Sequence, residues 1–314
     1  MAEAIVGSGG IAPERGPVWR RGDMVRAGGK GWMAQVVGVH GIGQQLRGER
    51  VLRDTWLPAM RDGIGRTAPG LADHVDLDIA FYGDLFRPKG TKAVGGPPLD
   101  ATDITDEVDR ELLDAWWAEA ARVDHVPGLE AGTKARTPVW VQRALNALSS
   151  SAFFAGVSQH MLIADLRQVR LFLTDPRVKA RVLERVAAVV TPDTQVIIGH
   201  SLGSVVAYEA LCAHPEWAVR ALVTIGSPLG VANIVFDRLT PRPVGERGEW
   251  PGSIAAWTNI ADGGDVVALQ KALMRQFGPR VRDILIYNGA TAHDVIPYLT
   301  AEETGSAVAA GLSG

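Results

Sequence analysis

The sequence predicts an α/β fold, a mostly parallel sheet covered by helices on both faces. Short apolar runs rich in β-branched residues alternate with longer segments of helical character, and this alternation is typical of parallel sheets. The expected strands are residues 36–39, 75–82, 196–198, 221–225, 254–260 and 284–287. Helices are expected over residues 51–64 and 294–299 and directly after the strand at 196–198.

Residues 84–174 interrupt this alternation. The segment has a loop rich in proline and glycine at 90–98, followed by three helical patterns. These patterns cover residues 104–123, 139–148 and 153–173, and the aromatic residues concentrated there are Trp116, Trp117, Trp140, Phe153 and Phe154. An insertion of this kind is where a helical cap or lid over an active site is expected, but such aromatic stripes also form ordinary cores. A cap and a structural subdomain both stay open.

The composition predicts a soluble globular protein that does not bind nucleic acid. The 314 residues are 46% hydrophobic and 21% charged, and 32 basic and 35 acidic side chains give a formal net charge of −3 without long blocks of one sign. No apolar stretch is long enough for a transmembrane segment, and the start lacks an apolar secretory segment, so we expect a cytoplasmic protein. Residues 1–31 are expected to be a disordered extension, which leaves 32–314 for the folded domain.

The run Gly199-His200-Ser201-Leu202-Gly203 stands between a strand-type segment and a helix-type segment. Glycines on both sides of a serine allow strand and helix to approach closely across a sharp turn and leave the serine in a strained backbone. This order is that of a nucleophile elbow, so Ser201 is the candidate nucleophile.

A serine hydroxyl needs a base that takes its proton and an acid that orients the base. Only His214 and His293 follow Ser201 in the sequence, and His214 falls at the end of the helix after the elbow. His293 follows the last expected strand and is therefore the candidate base. The loop after residue 260 offers two acids: Asp265 is preferred as the catalytic acid, and Asp262 is the alternative that would instead shape the turn.

Two backbone amides are candidates for an oxyanion hole, the site that binds the negative oxygen of a tetrahedral intermediate. Leu202 follows the serine at a helix N-terminus, and Ile42 lies in the loop after the first strand. The glycines around Ile42, Gly41 and Gly43, resemble the start of a dinucleotide fingerprint, but Leu46 stands where the third glycine belongs. Spacings typical of metal ligands are also missing, so we expect neither a cofactor nor a metal.

At these residues the sequence resembles the lipase and esterase branch of the α/β-hydrolase superfamily. The elbow matches the lipase form, and Gly226-Ser227-Pro228-Leu229-Gly230 is similar to a turn that those enzymes carry. The segment 259–267, called the acid loop below, resembles the acid loop of triacylglycerol lipases, in which an aspartate before a valine is the triad acid, and this favours Asp265. A looser resemblance extends to lipases of the glycosylphosphatidylinositol inositol-deacylase type. The resemblance covers residues 33–83 and 176–300.

The resemblance implies a serine hydrolase that cleaves a carboxylic ester, small or lipid-like, through an acyl-enzyme on Ser201. Thioester or amide cleavage and acyl transfer use the same groups and remain alternatives. A different class also remains open, a hydrolase-like scaffold that acts as a protein-interaction module. The sequence carries no signal for an oligomeric state.

Overall fold

A computed structural model describes residues 35–87, 99–128, 138–151, 154, 157–289 and 292–313 of the chain. Three sequence predictions lie outside the described residues: the extension at 1–31, the loop at 90–98 and the position of Phe153.

The described residues form helices and strands in an alternating order. In the first half of the chain these are β1 (Val36–Val39), α1 (Glu49–Thr67), α2 (Pro69–Ala72), β2 (Leu77–Ala80), α3 (Glu107–Val123), α4 (Pro138–Ser150), α5 (Gln159–Thr174) and α6 (Pro176–Ala187). In the second half they are β3 (Val196–His200), α7 (Leu202–Ala213), β4 (Ala221–Ile225), β5 (Ala256–Asp262), α8 (Met274–Phe277), β6 (Val281–Ile286), α9 (Val295–Thr300) and α10 (Glu302–Ser313). Short 3₁₀ turns cover Gly83–Phe86, Ala101–Asp103 and Phe236–Arg238.

The strands form one six-stranded sheet in the order β2-β1-β3-β4-β5-β6, and every neighbouring pair is parallel. The predicted fold class, a parallel sheet covered by helices, is therefore confirmed. Parallel strands bring all their carboxyl ends to one edge of the sheet, so the loops after β1, β3, β5 and β6 meet there. The strand order reverses between β1 and β3, which is where open parallel sheets leave a crevice for ligands.

Two apolar clusters cover the two faces of the sheet. Val37, Val39 and Ile197 pack with helices α3 to α7 on one face. Val36 and Val196 pack with α1, α9 and α10 on the other. This split follows from the strand geometry, since successive side chains of a strand point to opposite faces. Burial on both faces explains why the strands have continuous apolar sequences.

The segment between β2 and β3 is helical, as its sequence pattern predicts. Trp117 and Trp140 join α3 to α4, with ring centroids 5.9 Å apart, and the Trp117 Nε1 donates a hydrogen bond of 2.7 Å to the Pro127 carbonyl oxygen. Phe172 on α5 is fully buried in the same cluster. The helices of this segment therefore have a core of their own that continues into the sheet face.

Four helices were not predicted from the sequence: the four-residue α2 and α8, and the longer α6 and α10. Helix α6 carries its apolar residues Val178, Val182 and Val186 at a spacing of four, and the Asp175 carboxylate caps its N-terminus by accepting from the Arg177 amide at 2.8 Å. These signals were present in the sequence. Helix α10 is rich in alanine and glycine, and its Gly305 lies directly against the α1 backbone. Its packing therefore depends on small side chains and not on an apolar periodicity.

The observed ends of some elements differ from the predicted ones. Strand β5 begins and ends two residues later than predicted, and β6 begins three residues earlier. Asp262 consequently is the last residue of a strand and not part of the loop. In the described part of the chain, no helix is both long and apolar enough to cross a membrane.

Candidate active site

Ser201 occupies the turn between β3 and α7 in a strained conformation, with φ 54° and ψ −130°. A backbone of this kind costs a non-glycine residue about 1 to 3 kcal/mol, and such residues cluster at functional sites. A Cβ on Gly199 would lie 2.5 Å from the Ser204 Cα, and a Cβ on Gly203 would overlap the Val39 carbonyl oxygen. Both flanking glycines are therefore required for the close approach of helix and strand.

Hydrogen bonds hold the Ser201 backbone in this position. Its amide donates to the Ile225 carbonyl oxygen at 3.1 Å, and its carbonyl oxygen accepts from the Ser204 amide at 2.9 Å and the Ser204 hydroxyl at 2.6 Å. The Ser204 hydroxyl also contacts that of Ser227, at 2.7 Å. These bonds offset the strain of the turn and fix the direction of the Ser201 side chain.

Asp265 lies in the loop after β5 and is fully buried. Each of its two carboxylate oxygens accepts two hydrogen bonds. Its Oδ1 accepts from the amides of Val267 at 2.9 Å and Ala268 at 3.1 Å. Its Oδ2 accepts from His293 Nδ1 at 2.8 Å and from the Tyr298 hydroxyl at 2.9 Å. The carboxylate is thus held in one orientation.

His293 follows β6 and donates from Nδ1 to Asp265, which leaves Nε2 as the nitrogen that accepts a proton. Gly226, at the end of β4, lies beneath this pair with φ +56°, and a Cβ there would lie 2.9 Å from Asp265 Oδ2 and 3.1 Å from His293 Nδ1. The glycine of the Gly-Ser-Pro turn therefore makes room for the contact between aspartate and histidine.

Burial and hydrogen bonding act in opposite directions on the Asp265 carboxyl. Burial favours the neutral acid, but the positive charge and hydrogen bond of His293, with the Ala268 amide and the Lys271 ammonium, hold the pKa of Asp265 below its usual range. Asp265 is consequently a carboxylate at neutral pH. A carboxylate in this place accepts the Nδ1–H of His293 and orients its ring.

Ser201 and His293 line one cavity of about 430 Å³ at the carboxyl edge of the sheet. Gly41, in the loop after β1, also lines it, and a Cβ on Gly41 would lie 2.7 Å from the Ser201 Cβ and 3.3 Å from its Oγ. The backbone of this loop therefore lies directly beside the serine hydroxyl. Ile42 is part of the cavity wall, and Leu202 is the first residue of α7.

His40 fixes the loop that carries Gly41 and Ile42. Its Nδ1 donates to the Gly41 carbonyl oxygen at 2.7 Å, and its Nε2 accepts from the Tyr82 amide at 3.2 Å. Burial lowers the pKa of His40 to about 4, so the ring is neutral and serves as both donor and acceptor. The Tyr82 hydroxyl donates to the His40 carbonyl oxygen and completes the arrangement.

The alternative acid, Asp262, has different partners. Its carboxylate accepts from the Gly264 amide at 2.7 Å and from the Asn288 amide, and so ties the end of β5 to the loop after β6. The structure thus places Asp265 against His293 and gives Asp262 contacts with loop amides. Asp294 caps α9 through the Ile296 amide at 3.0 Å.

The His200 ring also contacts the site. Its Nε2 donates to the His293 carbonyl oxygen at 2.9 Å, and the two ring centroids are 4.8 Å apart. Burial and the neighbouring His293 charge lower the pKa of His200 to about 3, so this ring is a neutral donor that helps to position His293.

Sequence reasoning missed two residues of the site. Tyr298 on α9 is completely buried and joins the acid loop by donating to Asp265 and accepting from the Asp262 amide at 2.7 Å. Asp165 on α5 lines the cavity, and burial raises its pKa to about 7, against the effect of the His293 charge. Neither had a sequence signal, because each is an ordinary position of a predicted amphipathic helix.

The aromatic residues of the segment between β2 and β3 divide into two groups. Trp116 and Phe154 line the cavity, with ring centroids 5.8 Å apart. Trp117 and Trp140 pack with each other in the helical core. Within the described residues, no three or more His, Cys, Asp and Glu side chains are grouped to hold a metal ion, and the expectation that no cofactor is needed stays a prediction.

Comparison with known proteins leaves the family open. No model of a known protein family matches the chain, and a search of curated proteins finds no significant match. The functional interpretation therefore depends on the arrangement of side chains at the carboxyl edge of the sheet.

Proposed function

We propose that this protein is a serine hydrolase of the lipase and esterase type, which cleaves a carboxylic ester through an acyl-enzyme on Ser201. The observation that carries the proposal is the contact of 2.8 Å between Asp265 and His293, because the His293 ring lines the same cavity as Ser201 on its strained turn. A nucleophile, a base and an orienting acid at one cavity are the parts that this chemistry requires.

In the first half of the proposed reaction, His293 Nε2 takes the proton of the Ser201 hydroxyl while the oxygen attacks the ester carbonyl carbon. The Asp265 carboxylate holds the ring by its Nδ1–H and stabilises the imidazolium that forms. His293 then gives the proton to the departing alcohol oxygen, the C–O bond breaks, and the acyl group stays on Ser201. Water attacks the acyl-enzyme by the same steps, releases the carboxylic acid and restores the serine.

The negative oxygen of each tetrahedral intermediate requires donors that are already in place. We assign this role to the amides of Leu202 and Ile42. The Leu202 amide is at the N-terminus of α7, where the helix dipole favours negative charge. The His40 hydrogen bonds hold the loop of Ile42 beside the Ser201 hydroxyl.

The cavity supports a substrate with an apolar portion. Trp116, Phe154, Val157 and Ile296 contribute apolar side chains to its wall, and such walls bind acyl chains by removing them from water. We therefore place an acyl chain against the helices between β2 and β3, which would then act as a cap. Thioesters, amides and acyl transfer use the same groups, so a substrate series distinguishes them from esters.

The test is covalent capture of Ser201 by a fluorophosphonate, followed by peptide mapping. We expect the label on Ser201, and we expect Ser201→Ala to lose both the label and the hydrolysis of p-nitrophenyl butyrate, by several orders of magnitude in turnover. Ser253→Ala is the matched control, because Ser253 is exposed and its hydroxyl makes a single long hydrogen bond of 3.4 Å. Undiminished labelling of folded Ser201→Ala contradicts the proposal, and failure to label the wild-type protein favours the non-catalytic scaffold.

A further inference from the structure

One carboxyl group in the cavity wall has no part in the proposed reaction. Asp165 projects from α5 into the cavity that Ser201 and His293 line, beside the loop of Gly43, where a Cβ would lie 3.6 Å from its Oδ1. Within the described residues, its carboxylate accepts one weak hydrogen bond, from the Gln168 side-chain amide at 3.4 Å. The carboxyl group therefore faces the space in which substrate would bind.

Two other buried carboxylates of this part of the protein have cationic partners. Asp109 forms an ion pair with Arg170 at 3.0 Å, and Glu209 forms one with Lys179 at 2.8 Å. Within the described residues, the charge that lowers the pKa of Asp165 is that of His293. A buried carboxylate is costly unless a cation or strong donors accompany it, so the arrangement around Asp165 favours a positive group in the cavity.

The rest of the cavity wall supports the same conclusion. Arg47 and Asp294 also line the cavity, and their charges are opposite, so ionised Asp165 makes the described lining negative overall. The rings of Trp116 and Phe154 line the same space. Aromatic faces attract cations, and a cavity lined by both a carboxylate and aromatic rings is suited to ammonium groups.

We infer that the site selects esters that carry an ammonium group a few bonds from the scissile carbonyl, bound by Asp165 with the rings of Trp116 and Phe154 beside it. This inference rests on the proposed hydrolase function and adds the charge class of its substrate. The raised pKa of Asp165 is consistent with it, because a bound cation favours the charged form and lowers that pKa.

Two pairs of matched esters test the inference, since each pair differs only in charge. One pair is the p-nitrophenyl ester of 4-(trimethylammonio)butyrate and that of 5,5-dimethylhexanoate; the other is butyrylcholine and 3,3-dimethylbutyl butyrate. We expect the wild-type protein to prefer the cationic member of at least one pair in kcat/KM, and we expect Asp165→Asn to reduce that preference on the order of tenfold. Asp62→Asn is the matched control, because Asp62 is exposed on α1.

Two further measurements separate this inference from the proposed function. Fluorophosphonate labelling reports the reactivity of Ser201 in each variant, and calorimetric binding of tetramethylammonium reports the charged site without turnover. If the wild-type protein is labelled but shows no preference for cationic esters, the inference is wrong and the proposed function stands. The inference is also wrong if Asp165→Asn lowers kcat/KM equally for all four esters, because Asp165 would then act on His293. Absence of labelling contradicts the proposed function, whereas the tetramethylammonium result still decides the charged site.

Discussion

At the scale of single residues, Asp262 at the end of β5 and Asp265 in the loop after it have different environments. Asp265 accepts four hydrogen bonds, two of them from His293 and Tyr298, and is fully buried. Asp262 is equally buried but accepts from loop amides. The difference in partners predicts that the two carboxylates affect turnover and stability in different proportions.

We expect Asp265→Asn to lower kcat on p-nitrophenyl butyrate about a thousandfold or more, because the asparagine amide can donate to His293 Nδ1 and so favours the wrong tautomer. We expect Asp262→Asn to lower the free energy of unfolding by about 1 to 3 kcal/mol, because loop amides lose their acceptor. Rates and thermal melts of both variants provide the comparison. A greater loss of turnover in a folded Asp262→Asn protein would exchange the roles of the two residues.

At the scale of secondary-structure elements, each loop at the carboxyl edge of the sheet brings one part of the site. The loop after β1 lies beside the Ser201 hydroxyl, the turn after β3 carries the serine, and the loops after β5 and β6 carry Asp265 and His293. Helices α3 and α5, from the segment between β2 and β3, complete the cavity wall through Trp116 and Asp165. The cap hypothesis can therefore be tested on neighbouring residues of one helix.

Trp116 and Trp117 are adjacent on α3 and similarly buried, at 2% and 4% exposure, but only Trp116 is among the described residues that line the cavity. Both Trp116→Ala and Trp117→Ala should lower stability, by about 3 to 5 kcal/mol. We expect Trp116→Ala alone to shift preference towards short esters in a p-nitrophenyl series from acetate to dodecanoate, because it removes part of the wall that contacts the acyl chain. Equal shifts in both variants, or none, would indicate a structural subdomain.

At the scale of the whole molecule, buried ionisable groups connect the site to the pH dependence of folding. His40 and His200 are held neutral, with pKa values lowered by burial to about 4 and about 3, whereas burial raises that of Asp165 to about 7. As pH falls below 6.5, the unfolded chain binds protons at both histidines that the folded protein does not bind, so stability decreases. Asp165 has the opposite effect between about pH 7 and its ordinary value near 4.

The total pH dependence therefore combines opposing contributions, and a variant isolates one of them. We expect His40→Gln to lose less stability than the wild-type protein between pH 7 and pH 4.5, by about 2 to 3 kcal/mol, because glutamine does not titrate and can replace the donor and acceptor of the ring. Urea unfolding of both proteins at the two pH values measures the difference. Identical losses would contradict a neutral, buried His40.

The sequence by itself determined the fold class and the geometry of the Ser201 turn. Alternating strand and helix patterns require a parallel sheet. Glycines at 199 and 203 define a turn in which neighbouring backbone segments lie too close to leave room for a side chain at either position. It also brought Ser201, His293 and the acid loop into one hypothesis, because the carboxyl ends of parallel strands meet at one edge. Each of these inferences follows from local pattern or from topology.

Only the tertiary structure decided which aspartate contacts His293, which of two adjacent tryptophans lines the cavity, and where Tyr298 and Asp165 lie. These choices depend on the angle at which a loop or helix meets the sheet, and residues one or three positions apart have nearly the same sequence environment. A rotation of about 100° per residue along a helix turns neighbouring side chains to different surroundings. The chain folds α3, α5 and α9 against the sheet edge, and that packing alone places a second carboxyl group in the cavity and a tyrosine hydroxyl on Asp265.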